Sequence, residues 1–172
     1  IAVYSNFIVL TLEKFPKEKE KLKMFSDYGE MFVHEIRRFY PFFPFVAAKV
    51  KNNFEWNGYL FEEGTIALLD LYGTNRDPNL WENADEFRPE RFSQKAMLNH
   101  LIPQGGGSYE GHRCAGEQLT IEVMKVCVDY LVNKMDYTLP DQELTLSMNT
   151  IPCIPKSKII MANIKRKEYT IH

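Results

Sequence analysis

The stretch Pro103-Gln104-Gly105-Gly106-Gly107-Ser108-Tyr109-Glu110-Gly111-His112-Arg113-Cys114-Ala115-Gly116-Glu117 decides how the rest of this 172-residue chain is read. It is a glycine-rich loop that delivers one cysteine to the start of an apolar helical pattern. Loop amides and the positive end of that helix favour the thiolate form of such a side chain. A phosphate cradle is a poor use of the loop, because no Gly-Lys-Ser/Thr follows. A dinucleotide fingerprint fails as well, since the glycine spacing is wrong and no acidic ribose partner is evident. A nucleophilic cysteine lacks an arginine cradle at phosphatase spacing. The remaining use is a single thiolate ligand to a flat cofactor, with glycines that allow the backbone close to a macrocycle. Haem held by a cysteine thiolate fits best. The bland competitor is a buried free cysteine at a helix start.

The composition narrows the classes further. With 45% hydrophobic, 26% charged and 13% aromatic residues, the chain can offset the entropy of ordering and is expected to fold. Twenty-one basic against 23 acidic residues leave a net charge of −2, which argues against an electrostatic nucleic-acid binder. The longest apolar run, near Phe7–Leu10, is far too short for a spanning helix, so no membrane insertion is expected. Ile1–Leu12 has neither a basic leading segment nor a small-residue cleavage site. Cys114, Cys127 and Cys153 are odd in number and lack Cys-x-x-Cys spacing, and the four histidines form no HExxH pair. A disulfide framework or zinc site is therefore disfavoured, and a reducing, cytoplasmic location is expected. Cys127 reads as core and Cys153 as a loop packing residue.

Outward from the loop, helical periodicity runs through Tyr4, Ile8, Leu12 and Phe15 from the first residues, with no capping residue ahead of it. That pattern reads as a piece of a longer fold. Pro16 precedes a charged run, Lys17–Lys23, expected to be a solvated face. Ser26 and Asp27, with Glu30 following, read as the start of a helix that reaches Phe39 before Pro41 and Pro44. Asn57-Gly58 between two aromatic triplets signals a hairpin, and Thr65–Tyr72 reads as a buried strand. Residues 73–111 lack periodicity, but Trp81, Phe87, Arg88, Arg91 and Phe92 point to an ordered, packed coil. A helix is expected from about Ala115 to Met135, buried on most sides because its polar stripe is narrow. Short strands follow over Thr138–Ile164.

Two further motifs matter in combination. Glu35 and Arg38 lie three apart on one helix face, where an exposed pair is worth only about 0.2–0.5 kcal/mol. Arg91, in Arg88-Pro-Glu-Arg-Phe92, is a second guanidinium that could pin the coil to the Glu35 helix by a bidentate contact.

Together, in this order, Glu35-Ile-Arg-Arg38, Gly73-Thr-Asn-Arg-Asp-Pro78 with Trp81 and Pro89-Glu-Arg-Phe92, and Gly111-His-Arg-Cys114-Ala-Gly116 resemble the C-terminal part of a cytochrome P-450. The likeness covers essentially the whole chain. It is closer still to a bacterial subgroup, the fatty-acid peroxygenases. The family's usual Phe seven residues before the cysteine and Gly four before it are here Gly107 and Glu110, whereas Pro-Gln-Gly-Gly-Gly and Arg37-Arg-Phe-Tyr-Pro-Phe42 are typical of the subgroup.

This resemblance implies a mainly α fold with small β-sheets (α+β), residues 1–172 being the haem-ligating part of one domain, from within its central helix to the C-terminus. It implies haem b as cofactor, with Cys114 as axial thiolate and Gln104, Gly111, His112, Arg113 and Gly116 around it. His112 and Arg113 are both candidates to meet a haem propionate. Glu35, Arg38 and Arg91 would form a structural triad. Phe42, Phe43, Phe45 and Val46 would wall the substrate side, with a plain core cluster as the competing reading, and Thr150–Pro155 would reach the same pocket. The implied reaction is hydroxylation of a long-chain fatty acid at the α or β carbon, or its decarboxylation, by hydrogen peroxide without a redox partner protein. The residue pair that would separate this from a reductase-dependent monooxygenase is expected just ahead of Ile1. A different class of reading is an inert product that lacks part of the haem pocket and binds no haem.

Overall fold

The computed structural model describes residues 2–108, 110–111 and 113–167. Three helices make the main core. α1 (Ala2–Lys14) is apolar on nearly every side and buries Tyr4, Phe7, Ile8 and Leu10 completely. α3 (Tyr28–Phe39) contributes Phe32, Val33 and Ile36, and α5 (Glu117–Asp129) contributes Ile121, Met124 and Val128. Between the first two lies α2 (Pro16–Met24), which starts at the proline because that residue has no N–H to leave unpaired. α5 runs on as a single π-helical turn, Tyr130–Lys134, before the chain becomes extended at Met135.

The strands form two-stranded antiparallel ribbons. β1 (Phe45–Lys49) pairs with β4 (Ile66–Asp70), and β2 (Phe54–Trp56) pairs with β3 (Tyr59–Phe61). Asn57 and Gly58 both take positive φ, 50° and 77°, as the tight turn between β2 and β3 demands. A short helical turn, α4 (Leu71–Thr74), leads into the coil. At the C-terminal end β5 (Met135–Thr138) pairs with β8 (Ala162–Arg166), and β6 (Leu146–Ser147) with β7 (Ile154–Pro155). The architecture is thus mainly helical with small sheets, as expected.

The coil from Asn75 to Gly116 contains two 3₁₀ segments, Pro89–Ser93 and Lys95–His100, and has its own core of Trp81, Ala84, Phe92 and Leu101. Trp81 is fully buried, its indole N–H donates to the Thr74 carbonyl at 3.1 Å, and the Arg38 guanidinium lies 5.4 Å from its ring centroid. The packed coil read from its aromatics is what the chain forms.

Several local expectations are corrected. β4 is not buried: Ile66 and Leu68 are each 60% exposed, because a two-stranded ribbon covers neither of its own faces. α5 starts at Glu117 and is not buried on most sides, since Leu119 and Val126 face outward. Asp27 stands at the start of α3 with helical dihedrals and its side chain caps nothing, so the capping signal is unused. The charged run is not wholly solvated. Glu18 is buried and takes hydrogen bonds from the Tyr28 hydroxyl and from Lys21 Nζ, the latter at 3.0 Å. Cys127 is only half-buried, packed at the edge of the main core, whereas Cys153 is fully buried.

Replacing Trp81 by Ala removes the centre of the coil's core and should cost about 3–5 kcal/mol of unfolding free energy in a urea titration. A loss below about 1 kcal/mol would show that the coil does not depend on this packing.

Candidate functional site

α3 places four ionisable side chains at the site, on two of its flanks. On the flank facing the coil, Glu35 and Arg38 pair fork to fork: Arg38 Nε and Nη2 donate to the two carboxylate oxygens at 2.8 Å each. Arg91 approaches the same carboxylate, Nε to Oε2, at 3.2 Å, and the Arg88 backbone N–H donates to it at 2.8 Å. All three side chains are buried, leaving one excess positive charge to be satisfied by dipoles. Backbone carbonyls do this. Arg38 donates to those of Asn75, Ala84 and Glu86, and Arg91 to those of Glu82, Asn83 and Glu86. The coil is therefore wound around two guanidiniums.

On its other flank α3 presents Arg37, 1% exposed, to the start of α5. Its Nη2 donates to Glu117, and Arg113 grips the same carboxylate from the loop, its Nη2 donating at 3.0 Å. Burial pushes the Glu117 carboxyl up, but the Arg113 and Arg37 guanidiniums outweigh it and hold the group below the usual carboxylate range. Arg37 Nη1 donates to His34 Nδ1 at 3.1 Å, which leaves the ring neutral with its proton on Nε2. Burial, then Arg37, pushes the His34 pKa down from 6.5 to about 4. Among the described residues Arg37 Nε has no hydrogen-bond partner, and burial pushes the Tyr4 hydroxyl well above the usual tyrosine value against the pull of the Arg37 guanidinium.

The cysteine loop hangs between these two networks. Asn75, whose carbonyl Arg38 holds, accepts the Ile102 N–H on its side chain at 3.0 Å, just ahead of Pro103. Gly105 and Gly107 then take φ of 99° and 100°, a backbone state that side chains resist, and a Cβ at either would meet open space. Cys114 is half-buried, and Gln104 Nε2 donates to its Sγ at 3.6 Å. Gly116 stands at the N-terminus of α5, where the Cys114 carbonyl accepts the Glu117 N–H at 3.1 Å. Among the described residues no three His, Cys, Asp or Glu side chains could enclose a metal ion. A lone sulfur suits a metal that brings its other ligands in a macrocycle, and the loop's open glycine face admits a flat one. The residues present fit haem.

The expected site residues fall as follows. Glu35, Arg38 and Arg91 come together, as do Gln104, Arg113, Cys114 and Gly116, with Gly111 in the loop donating its N–H to the Ser108 carbonyl at 3.0 Å. His112 lies outside the described residues. The Phe42 ring lies tilted against Tyr4, centroids 4.4 Å apart, and meets Phe43 edge to face at 4.6 Å, while Phe43, Phe45 and Val46 are exposed. The Thr150–Pro155 loop, with Val3, lines a cavity of about 410 Å³. The Cys153 N–H ties that loop to the Phe42 carbonyl at 3.2 Å. Arg37, Glu117 and Asn75 were given no role by the sequence reading. Their one legible signal is the double arginine of α3, since adjacent helix positions point about 100° apart and must serve different neighbours.

The family model described as cytochrome P-450 matches residues 15–162. The chain belongs to the cytochrome P-450 family. Membership implies a haem cofactor. Solved P-450 structures resemble it closely. Cytochrome P-450EX alpha with myristic acid is 46% identical, covering 96% of this chain and 41% of that one, with a TM-score of 0.88. A variant of cytochrome P-450 OleT in complex with arachidonic acid is 37% identical, covering 98% and 41%, with a TM-score of 0.88. Cytochrome P-450 3A15 of Cavia porcellus is 27% identical over 162 residues, 91% of this chain and 31% of that protein. The chain thus spans about a third of this curated relative and about two fifths of these solved structures. Among the described residues, no helix is long and apolar enough to cross a membrane.

Two outcomes test this electrostatic frame. Glu35→Ala leaves Arg38 and Arg91 buried without their carboxylate and should cost about 3–5 kcal/mol, with new proteolytic cleavage in residues 75–100. A stability within about 1 kcal/mol of the parent would remove the pair from the framework. Because the folded His34 pKa lies below the unfolded one, the unfolded chain takes up this proton first as the pH falls. The ring's contribution is intact above about pH 6.5 and lost towards pH 4, up to about 3 kcal/mol in all. His34→Gln, which can still accept from Arg37, should flatten the stability profile in that window. Parallel profiles for parent and variant would refute the assignment.

Proposed function

We propose that this chain supplies the haem-ligating part of a cytoplasmic P-450 domain that oxidises long-chain fatty acids with hydrogen peroxide, hydroxylating the α or β carbon or removing the carboxylate. The observation that carries the reading is Cys114: a single, half-buried sulfur on a glycine loop, between two arginine networks that hold the loop from outside. The fatty-acid assignment is supported by the structural relatives with myristic and arachidonic acid, which are 46% and 37% identical to this chain. Exposed apolar residues on β4 and α5 are in keeping with a chain that is part of a larger domain.

In this reading Cys114 would hold the iron of haem b through its thiolate. When bound, the haem supplies the oxidising centre, and thiolate donation favours cleavage of the peroxide O–O bond. Gly105 and Gly107 leave the loop backbone free of side chains where a flat ring would approach, and Glu117 clamps Arg113, the residue preceding the ligand. His112 and Arg113 are the cations nearest in sequence for the propionates. Phe42 and the Thr150–Pro155 loop present apolar surface to an acyl chain. The substrate's own carboxylate serves as the acid–base group. Hydroxylation consumes one C–H bond and one peroxide and yields an alcohol and water. Decarboxylation yields a terminal alkene, carbon dioxide and two waters.

Loading the protein with hemin, reducing it and adding CO should give a thiolate-type Soret band that Cys114→Ala abolishes. With a long-chain fatty acid and peroxide alone, the loaded protein should form hydroxy acid or alkene, and Cys114→Ala should lower turnover at least a hundredfold. Turnover only with a reductase and a nicotinamide cofactor would identify a monooxygenase instead. A thiolate band that survives Cys114→Ala would overturn the ligand assignment.

A further inference from the structure

The sulfur of Cys114 has a polar neighbour whose orientation is decided elsewhere. Gln104 reaches it from the start of the loop, with Nε2 at 3.6 Å, and turns Oε1 toward Arg37, which donates from Nη2 at 3.3 Å. A carboxamide has one face that accepts and one that donates, and a guanidinium offers donors only. With Arg37 on one side, the Gln104 oxygen must face it. The amide N–H is then the only group left to face the sulfur. Arg37 cannot swing away, because it is 1% exposed and held at the same time by His34 and Glu117. Glu117 lies three residues after Cys114, so the arginine grips the loop on both sides of the ligand.

We propose that Arg37 is a positioning residue for the Cys114 ligand, acting through Gln104: it fixes the amide so that an N–H is aimed at the thiolate. The inference rests on the haem-thiolate reading above. An N–H donor draws charge from the sulfur, weakens its donation to the iron and so favours the reduced metal. Removing the donor should move the reduction potential to more negative values and raise the iron–sulfur stretching frequency.

The most direct test is Gln104→Glu in the haem-loaded protein. A carboxylate keeps its contact with Arg37 but has no N–H for the sulfur. A more negative potential and a stiffer iron–sulfur bond are expected, and an unchanged potential overturns the proposal. Arg37→Met, which frees the amide, should shift both quantities in the same direction, and adding it to Gln104→Leu should produce no shift beyond that of Gln104→Leu alone. Shifts that simply add, or Arg37→Met at the parent potential, would mean that the arginine does not act through the amide. If Arg37→Met fails to fold, Arg37→Gln takes its place in the same comparison with Gln104→Leu. Absence of a thiolate-type band in the parent protein defeats the haem reading itself, whereas a parent band with variants at the parent potential defeats only the relay.

Discussion

A carboxylate with no access to water organises this protein. Glu35 is fully buried and cannot be left alone there, since an unpaired charge in the interior costs several kcal/mol, so the fold must bring guanidiniums to it. Arg38 comes from one turn along the same helix and Arg91 from far along the chain. Two arginines for one carboxylate overshoot, and the surplus positive charge draws backbone carbonyls inward. The coil between Asn75 and Arg91 has no periodicity of its own because its course is set by where those carbonyls must point. From Asn75 the constraint passes through one side-chain hydrogen bond to Ile102, and from there to the glycine loop. Nothing in that sequence of contacts requires a cofactor to be present.

The neighbouring arginine extends the same logic to the opposite side. Arg37 and Arg38 are separated by one helical step, so they serve two polar networks that do not share a partner. Arg38 holds the coil that approaches the loop, and Arg37 holds the helix that leaves it. The thiolate candidate is therefore suspended between two faces of one helix, which fixes it from both ends with few contacts to its own residues. His34 belongs to this second network and stays neutral because burial, and then the Arg37 cation, oppose its protonation.

What could be read from residues alone divides along physical lines. Features set by local chemistry were legible: the Asn57-Gly58 turn, the limit that Pro41 and Pro44 put on α3, and the Glu35–Arg38 spacing of one helical turn. The ordered motifs around Arg91 and Cys114 were legible because each demands unusual residues in a fixed order. Burial was not. Thr65–Tyr72 has the composition of an interior strand, yet β4 is exposed, because burial depends on what lies across the sheet and not on the strand. Asp27 illustrates the same limit at a helix start, where the side chain that could cap has helical dihedrals instead. Arg37 and Glu117 are 80 residues apart and each looks like an ordinary surface charge, so only the fold reveals that they meet.

The composition of the loop and the strength of the networks around it are two sides of one requirement. A backbone that is to leave one face open to a flat ligand needs glycines, and glycines lose more conformational freedom on ordering than any other residue. Ordering costs about 1–2 kcal/mol per residue in backbone entropy, and Gly105, Gly106 and Gly107 bring no side-chain contacts to offset it. Rigidity must then come from outside the glycines. Asn75 supplies it through Ile102, Arg37 through Gln104, and Arg113 with Glu117 on the far side of the cysteine. Each of these is a charged or amide contact in a part-buried setting, where such bonds are stronger than in water and leaving one unmade is costly. A loop ordered in this way can hold a sulfur in place while keeping one face free of side chains, which an apolar clamp of the same strength could not do without filling the space it was meant to leave.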